Sequence, residues 1–318
     1  MGRVAMVTGV SRYLGGRLAE QLLDHPGIDR VIGVDAVVPN RRVNYRFVRA
    51  DIRNPVLTRV MDDEGVDLVL HMGVISTPRQ VSGRMEMKDI NVIGTMQLLA
   101  ACQRAESVRS LVVKSTSMVY GSGPKDPALF TEDTEPRHQP RSGWAKDAVE
   151  VETYVRSFAR RRPDVRVVTL RFANIIGPGM RTGMTAYFRL PVVPTVAGFD
   201  ARLQFVHEND ALDAVRVAAL SDVAGTFNVA GDGVVTLSQA VRIMGKLPAP
   251  TPRFALEALR NMTGAADLSS EQIRFLTYGR VLDTSLASNV LHFRPAFTSR
   301  QALESFARTA RGRVMAGV

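Results

Sequence analysis

The chain has 318 residues, 45% of them hydrophobic, and carries 41 lysines and arginines against 31 acids for a formal charge of +10. That length can bury a full core without a partner, and no apolar run approaches the roughly twenty residues of a membrane span. Only five of the 41 cations are lysine, and the one dense basic run, Arg160-Arg161-Arg162, falls at a helix end where cations complement the dipole. No aromatic-interleaved basic motif accompanies it, so phosphate-bearing small ligands account for the charge at least as well as nucleic acid does.

In chain order, the first residues lead straight into a strand. No basic n-region, apolar h-region or small-residue cleavage site precedes it, which predicts a soluble, cytoplasmic protein. Short β-branched runs at Val4–Val7, Val31–Val34, Leu68–Leu70, Leu111–Val113 and Val165–Leu170 alternate with stretches of helical period. That alternation predicts βαβ units on a buried parallel sheet. In the first helix Leu14, Leu18 and Leu22 form one apolar stripe, and Asp24-His25-Pro26-Gly27 stops it. Further helices are predicted around Asp89 to Ala105, with Cys102 as a buried inert thiol, and around Trp144 to Arg160, where Ala148, Val151, Val155 and Phe158 recur at three- and four-residue steps. Beyond Gly177-Pro178-Gly179 the alternation breaks, apart from a strand at Thr226–Val229 and a terminal helix at Arg300–Arg311.

The segment Val4-Ala5-Met6-Val7-Thr8-Gly9, followed by Gly15-Gly16 and a helix, reads as a pyrophosphate cradle. Glycines let the backbone approach phosphates, and the helix start offers unpaired N–H groups and a positive dipole end. Asp35 ends the next strand, where a carboxylate accepts the adenosine ribose hydroxyls and repels a 2′-phosphate, favouring NAD over NADP. The predicted fold is therefore α/β, a doubly wound parallel-sheet Rossmann fold with a smaller C-terminal substrate lobe. Residues 1–178 with 204–230 would form the NAD-binding domain, and 179–203 with 231–318 the lobe. Predicted cofactor contacts here are Gly9, Ser11, Arg12, Tyr13, Leu14, Gly15 and Asp35.

Along nearly its whole length the sequence resembles the extended short-chain dehydrogenase/reductase family, the nucleotide-sugar epimerases and dehydratases. Thr8-Gly9 and Gly15 match the TGxxGxxG turn, Asp51-Ile52 the pair flanking the adenine, and His71-Met72-Gly73 the loop beside ribose and nicotinamide. Asn91 with Gly94-Thr95 matches NVxGT, Ser115-Thr116 with Val119-Tyr120-Gly121 matches SSxxVYG, and Arg171 with Asn174 matches LRxxNVxGP. Phe205-Val206-His207 with Asp210 and Phe227-Asn228-Val229 match two later motifs. The resemblance implies that Asp51, Ile52, His71, Met72, Gly73, Asn91, Ser115 and Lys146 also meet the cofactor, and that a homodimer forms. At the central glycine stands Arg12, which can bind a phosphate oxygen, reach a 2′-phosphate, or lie solvated on the loop.

In the resembling family a tyrosine, lowered in pKa by a lysine four residues on, exchanges a proton with the substrate hydroxyl while a Ser or Thr hydrogen-bonds the same oxygen. Thr116 and Lys146 fit two of these places, but the tyrosine position carries Ser142, which has no accessible pKa without an adjacent base. Asn174 matches a substrate-side asparagine, although its amide can equally tie loops together. The family's substrate arginine is replaced by Leu203 with Arg202 displaced by one, and such a shift on a strand reverses the side chain. The predicted function is an NAD-dependent epimerase/dehydratase-like oxidoreductase on a nucleotide sugar or a related hydroxyl or ketone substrate. The alternative is a non-catalytic NAD-binding regulatory or scaffold protein. No metal site, membrane contact or nucleic-acid partner is predicted.

Overall fold

A computed structural model describes residues 2–74, 83–137, 139–141, 143–259 and 269–315. Strand β1 (Arg3–Thr8) leads through the glycine turn into α1 (Tyr13–Leu23) and on to β2 (Ile28–Asp35), β3 (Arg46–Arg49), α2 (Val56–Glu64) and β4 (Leu68–His71). Helix α3 (Arg84–Lys88) continues through a π-helical turn, Asp89–Ile93, into α4 (Gly94–Arg104). Next come β5 (Ser110–Thr116), a 3-10 turn at Ser117–Tyr120, α5 (Gly143–Arg161), β6 (Arg166–Phe172) and β7 (Asn174–Ile176). Then α6 (Gly183–Arg189), β8 (Val192–Val196), β9 (Arg202–Leu203) and β10 (Phe205–His207) lead to α7 (Glu208–Leu220) and β11 (Gly225–Val229). The chain closes with β12 (Val235–Thr236), α8 (Leu237–Ile243), β13 (Leu247–Thr251), α9 (Arg253–Leu259), α10 (Ser270–Tyr278), α11 (Ser285–Asn289) and α12 (Ser299–Met315).

Seven of these strands form one sheet in the order β11-β6-β5-β4-β1-β2-β3, every pairing parallel. The predicted doubly wound α/β architecture is thus the observed one. Because successive side chains on a strand face opposite ways, the β-branched runs feed two cores. Val7, Leu70, Val112 and Leu170 pack with Leu18, Leu22, Ala214 and Ala218 on one face. Met6, Val69, Leu111 and Val113 pack with Leu98, Val151, Val155 and Phe158 on the other. Each fully buried Val, Leu or Phe contributes roughly 1.5–3 kcal/mol, so the two faces together carry most of the sheet's stability. Winding reverses between β1 and β4, and their carboxyl ends leave the crevice in which such sheets bind ligands.

A further apolar cluster, including Phe188, Val193, Leu203, Phe205, Leu237, Leu276 and Phe306, lies outside the sheet. The basic run has a structural use: the Arg162 guanidinium donates to the carbonyls of Cys102 (2.9 Å) and Gln103 (3.2 Å), which the end of α4 leaves open, while pairing with Asp164. Burial pushes the Cys102 thiol up to about 12, leaving it inert as expected. Among the described residues no helix is long and apolar enough to cross a membrane.

Candidate active site

The turn after β1 is shaped by two close approaches. Gly9 has a positive φ of 79°, and a Cβ on it would lie 2.7 Å from the Gly73 Cα; a Cβ on Gly15 would lie 2.3 Å from the Gly9 carbonyl oxygen. Helix α1 therefore starts in direct contact with the turn, and no side-chain hydrogen bond caps its N-terminus. Those N–H groups and the dipole end suit an anion. Arg12 is the N-cap, with φ −87° and ψ 153°, an ordinary extended conformation. The central position needs no glycine for its backbone, which is why arginine is tolerated there.

The side chains around this turn line one groove. Ser11, Arg12, Tyr13, Leu14, Gly15, Asp35 and Met72, all expected at the cofactor, line it together. The Asp35 carboxylate spans the groove's end, accepting from the Ser11 N–H at 3.1 Å and the Val37 N–H at 3.2 Å. Burial holds the Arg12 guanidinium below its usual range, with the charge of Asp35 opposing. An uncapped helix start, a glycine cradle that a Cβ would fill and a carboxylate at the rim fit a dinucleotide. The opposite wall is the segment Gly179–Thr182. It is pinned by Glu208 on α7, which accepts from the Gly179 N–H at 2.9 Å and from the Tyr13 hydroxyl at 2.6 Å. A Cβ on Gly179 would lie 2.0 Å from the Tyr13 ring, so a larger residue here must displace that ring.

His71 lies beneath the groove, 1% exposed. Thr95 Oγ1 donates its proton to the Asn91 carbonyl (2.5 Å) and so accepts from His71 Nε2 (3.0 Å), leaving Nδ1 to accept from the Thr8 hydroxyl (2.8 Å). His71 is a neutral bracket between β1, β4 and α4. Burial, reinforced by the charge of Lys114, lowers its pKa to about 4. Because the folded value lies below the ordinary 6.5, the unfolded chain binds the proton more readily, so stability falls as pH drops from about 6.5 to about 4 and then levels. The expected loss is about 3 kcal/mol. Urea unfolding of wild type and His71→Gln across that window checks it, with the substitution reducing the loss by about that amount.

At Leu14, Val74, Lys114, Met180 and Thr182 the groove opens into a second, mainly apolar cavity between β5, β6, β7, α5 and α6. Thr116 and Asn174 line it, with Trp144, Phe172 and Met184 as apolar walls. The Thr116 hydroxyl accepts from the Met118 N–H (3.2 Å), which engages a lone pair and not its proton. Ser115 also borders the cavity, but its hydroxyl is given to Glu152 at 2.5 Å. Glu152 in turn holds Arg171 through contacts of 2.7 to 3.2 Å, and Arg171 donates to the Tyr120 hydroxyl, which donates to Asn228. The YG and FNV motifs thus meet in a buried polar network beneath the cavity.

Other predicted site residues lie elsewhere. Lys146 is half exposed on α5, 3.8 Å from Glu150, and outside the lining of both cavities. Arg202 is exposed on β9 with its guanidinium 3.4 Å from the Ala128 carbonyl, while Leu203 beside it is buried. The strand alternation thus turns Arg202 away from the cavity. Asp51 is engaged bidentately by Arg53, which holds its carboxyl below the usual range against the opposing effect of burial. Ile52 packs at Gly94. Ser142 lies outside the described residues. The side chain that sequence reasoning missed is Lys114, which lines both cavities. Its signal was a lysine ending the apolar run Leu111-Val112-Val113.

A seven-stranded parallel sheet with a glycine cradle at its switch point and a carboxylate ending β2 defines a dinucleotide-binding protein. Residues 5–230 match the model of the NAD dependent epimerase/dehydratase family, and the chain belongs to that family; NAD is its cofactor. An uncharacterized protein of Mycobacterium tuberculosis is 46% identical over 314 residues, covering 96% of this chain and 84% of that one. A UDP-glucose 4-epimerase of Mycolicibacterium smegmatis is 28% identical over 274 residues, covering 78% and 84%. Among solved structures, the UDP-glucose 4-epimerase of Thermotoga maritima superposes with a TM-score of 0.75 at 20% identity, over 98% of this chain and 99% of that one. The UDP-glucuronic acid 4-epimerase of Bacillus cereus, in complex with UDP-glucuronic acid and NAD, gives 0.75, 20%, 98% and 99%.

Proposed function

We propose that the chain is an NAD-dependent oxidoreductase of the epimerase/dehydratase kind acting on a nucleotide sugar or a related hydroxyl or ketone substrate. The observation that carries this reading is the junction of the two cavities, where the dinucleotide groove runs into a pocket holding Thr116 and Asn174. When bound, NAD supplies the acceptor and donor of a hydride. The residues do the rest: the Asp35 carboxylate takes ribose hydroxyls, and the α1 N-terminus with Arg12 takes the pyrophosphate. Thr116 donates to the substrate oxygen, and the Asn174 amide orients the substrate. Apolar walls exclude water, which strengthens each of these hydrogen bonds.

Ser142, standing where the resembling family has its tyrosine, favours a second reading in which NAD is bound without turnover. One experiment separates the two. Purified protein is incubated with NAD and a panel of UDP- and dTDP-sugars, and the products are separated by ion-exchange chromatography. The oxidoreductase reading expects an epimerised or dehydrated product from at least one sugar. Tight NAD binding with every sugar recovered unchanged would establish the binding reading instead.

A further inference from the structure

Lys114 closes an apolar run on the interior strand β5, where a cation is costly, and it is the one charged residue among the described residues shared by the dinucleotide groove and the substrate cavity. Among the described residues lining the substrate cavity, it carries the one side chain that ionises near neutral pH. The cavity offers hydroxyls and amides otherwise, from Ser115, Thr116, Asn174, Thr182, Ser269 and Gln272. The Lys114 Nζ donates to the Val74 carbonyl at 3.3 Å, a long contact, and no ion pair among the described residues holds the ammonium in place. Its neighbours across the groove are Arg12 from α1, Arg181 from the opposite wall and Asp35 at the far end, with neutral His71 below.

We propose that the Lys114 amine is the proton-transfer group of this site, taking the place that tyrosine holds in the resembling family. This rests on the oxidoreductase reading above. The neutral amine accepts the proton of a substrate secondary hydroxyl, which Thr116 also hydrogen-bonds. The carbon bearing that hydroxyl gives up its C–H electron pair as hydride to oxidised NAD, and a ketone and an ammonium remain. In the reverse direction the ammonium returns its proton to the oxygen as the hydride returns to carbon, so protons and electrons balance over the cycle. The surroundings favour such an exchange. Burial, then the nearby charge of Arg12, lowers the amine to about 8, within reach of both protonation states.

The test compares wild type with Lys114→Met, which keeps the length of the side chain in the strand, and Lys114→Arg, which keeps the charge but cannot exchange a proton near neutral pH. At saturating NAD and substrate, kcat for alcohol oxidation by wild type should rise with pH to a plateau above about 8. Both variants should fall on the order of 10²–10³-fold and lose that rise, while Lys114→Arg keeps its NAD affinity. A readout without turnover accompanies the kinetics. With only five lysines in the chain, selectively 13C-labelled protein should show one lysine signal titrating near 8 that vanishes in Lys114→Met. Wild-type turnover with kcat preserved in Lys114→Met, restored in Lys114→Arg, or with every lysine titrating in the ordinary range overturns the proposal and leaves the oxidoreductase reading standing. Absence of wild-type turnover with any substrate overturns both.

Discussion

Replacing Gly15 by alanine is expected to weaken NAD binding by about 100-fold, close to 2.7 kcal/mol of binding free energy, and to remove most of the rise in melting temperature that NAD gives wild type. The cause is geometric. The new Cβ would sit 2.3 Å from the Gly9 oxygen and 2.8 Å from its carbonyl carbon, and both are backbone atoms in a turn that cannot yield as a flexible side chain would. To admit the methyl, α1 must move away from the turn, and its N-terminal N–H groups leave the place where the pyrophosphate would lie. Leu18 and Leu22 still anchor the helix to the sheet, so circular dichroism should show the fold retained. Calorimetry with NAD gives the affinity directly.

The largest effect on stability is expected from Arg171→Ala. Arg171 and Glu152 are 10% and 4% exposed at the side chain, and the guanidinium grips both carboxylate oxygens while donating to Tyr120 and the Glu132 carbonyl. Burial pulls the Arg171 pKa down, yet the hydrogen bonds and charge of Glu152 hold it above the usual value. Truncating the arginine strands a buried carboxylate with Ser115 and the half-exposed Arg156 as its remaining partners. The expected cost is about 3–5 kcal/mol in urea unfolding. Changing both partners at once, Arg171→Met with Glu152→Leu, should recover most of that loss, because the penalty lies in the unpaired charge and not in a missing attraction.

The parts of the molecule that were legible in the sequence are those where one local rule decides the structure. Val4–Val7 and Leu68–Leu70 read as strands because a sheet covered on both faces demands continuous apolar side chains, and they are observed at Arg3–Thr8 and Leu68–His71. The stripe Leu14, Leu18, Leu22 read as a helix because its period matches 3.6 residues per turn. Strands β8 and β13 were not legible: Val192-Val193-Pro194-Thr195-Val196 and Leu247-Pro248-Ala249-Pro250-Thr251 pair with each other in a two-stranded ribbon, and proline argues against strand wherever neighbours cannot be foreseen.

At the site, the groove residues were legible because turn, helix start and Asp35 follow one another at fixed spacing. Commitments made across the chain were not. Ser115 gives its hydroxyl to Glu152, thirty-seven residues away, and the place of Lys114 between groove and cavity depends on Leu14, Val74, Met180 and Thr182 from distant parts of the chain. The backbone angles at Arg12 were equally hidden, and they show that its departure from glycine costs the turn nothing.

On the function proposed above, this chain holds NAD and passes electrons between it and a substrate at the junction of groove and cavity. Rapid mixing of the NAD-loaded protein with the sugar nucleotide that gives product, under single-turnover conditions, tests that electron transfer most directly. Absorbance of reduced nicotinamide should rise and decay within the turnover, and should rise more slowly when the transferred hydrogen is deuterium. Product formed with no reduced nicotinamide and no isotope effect would contradict the proposed function.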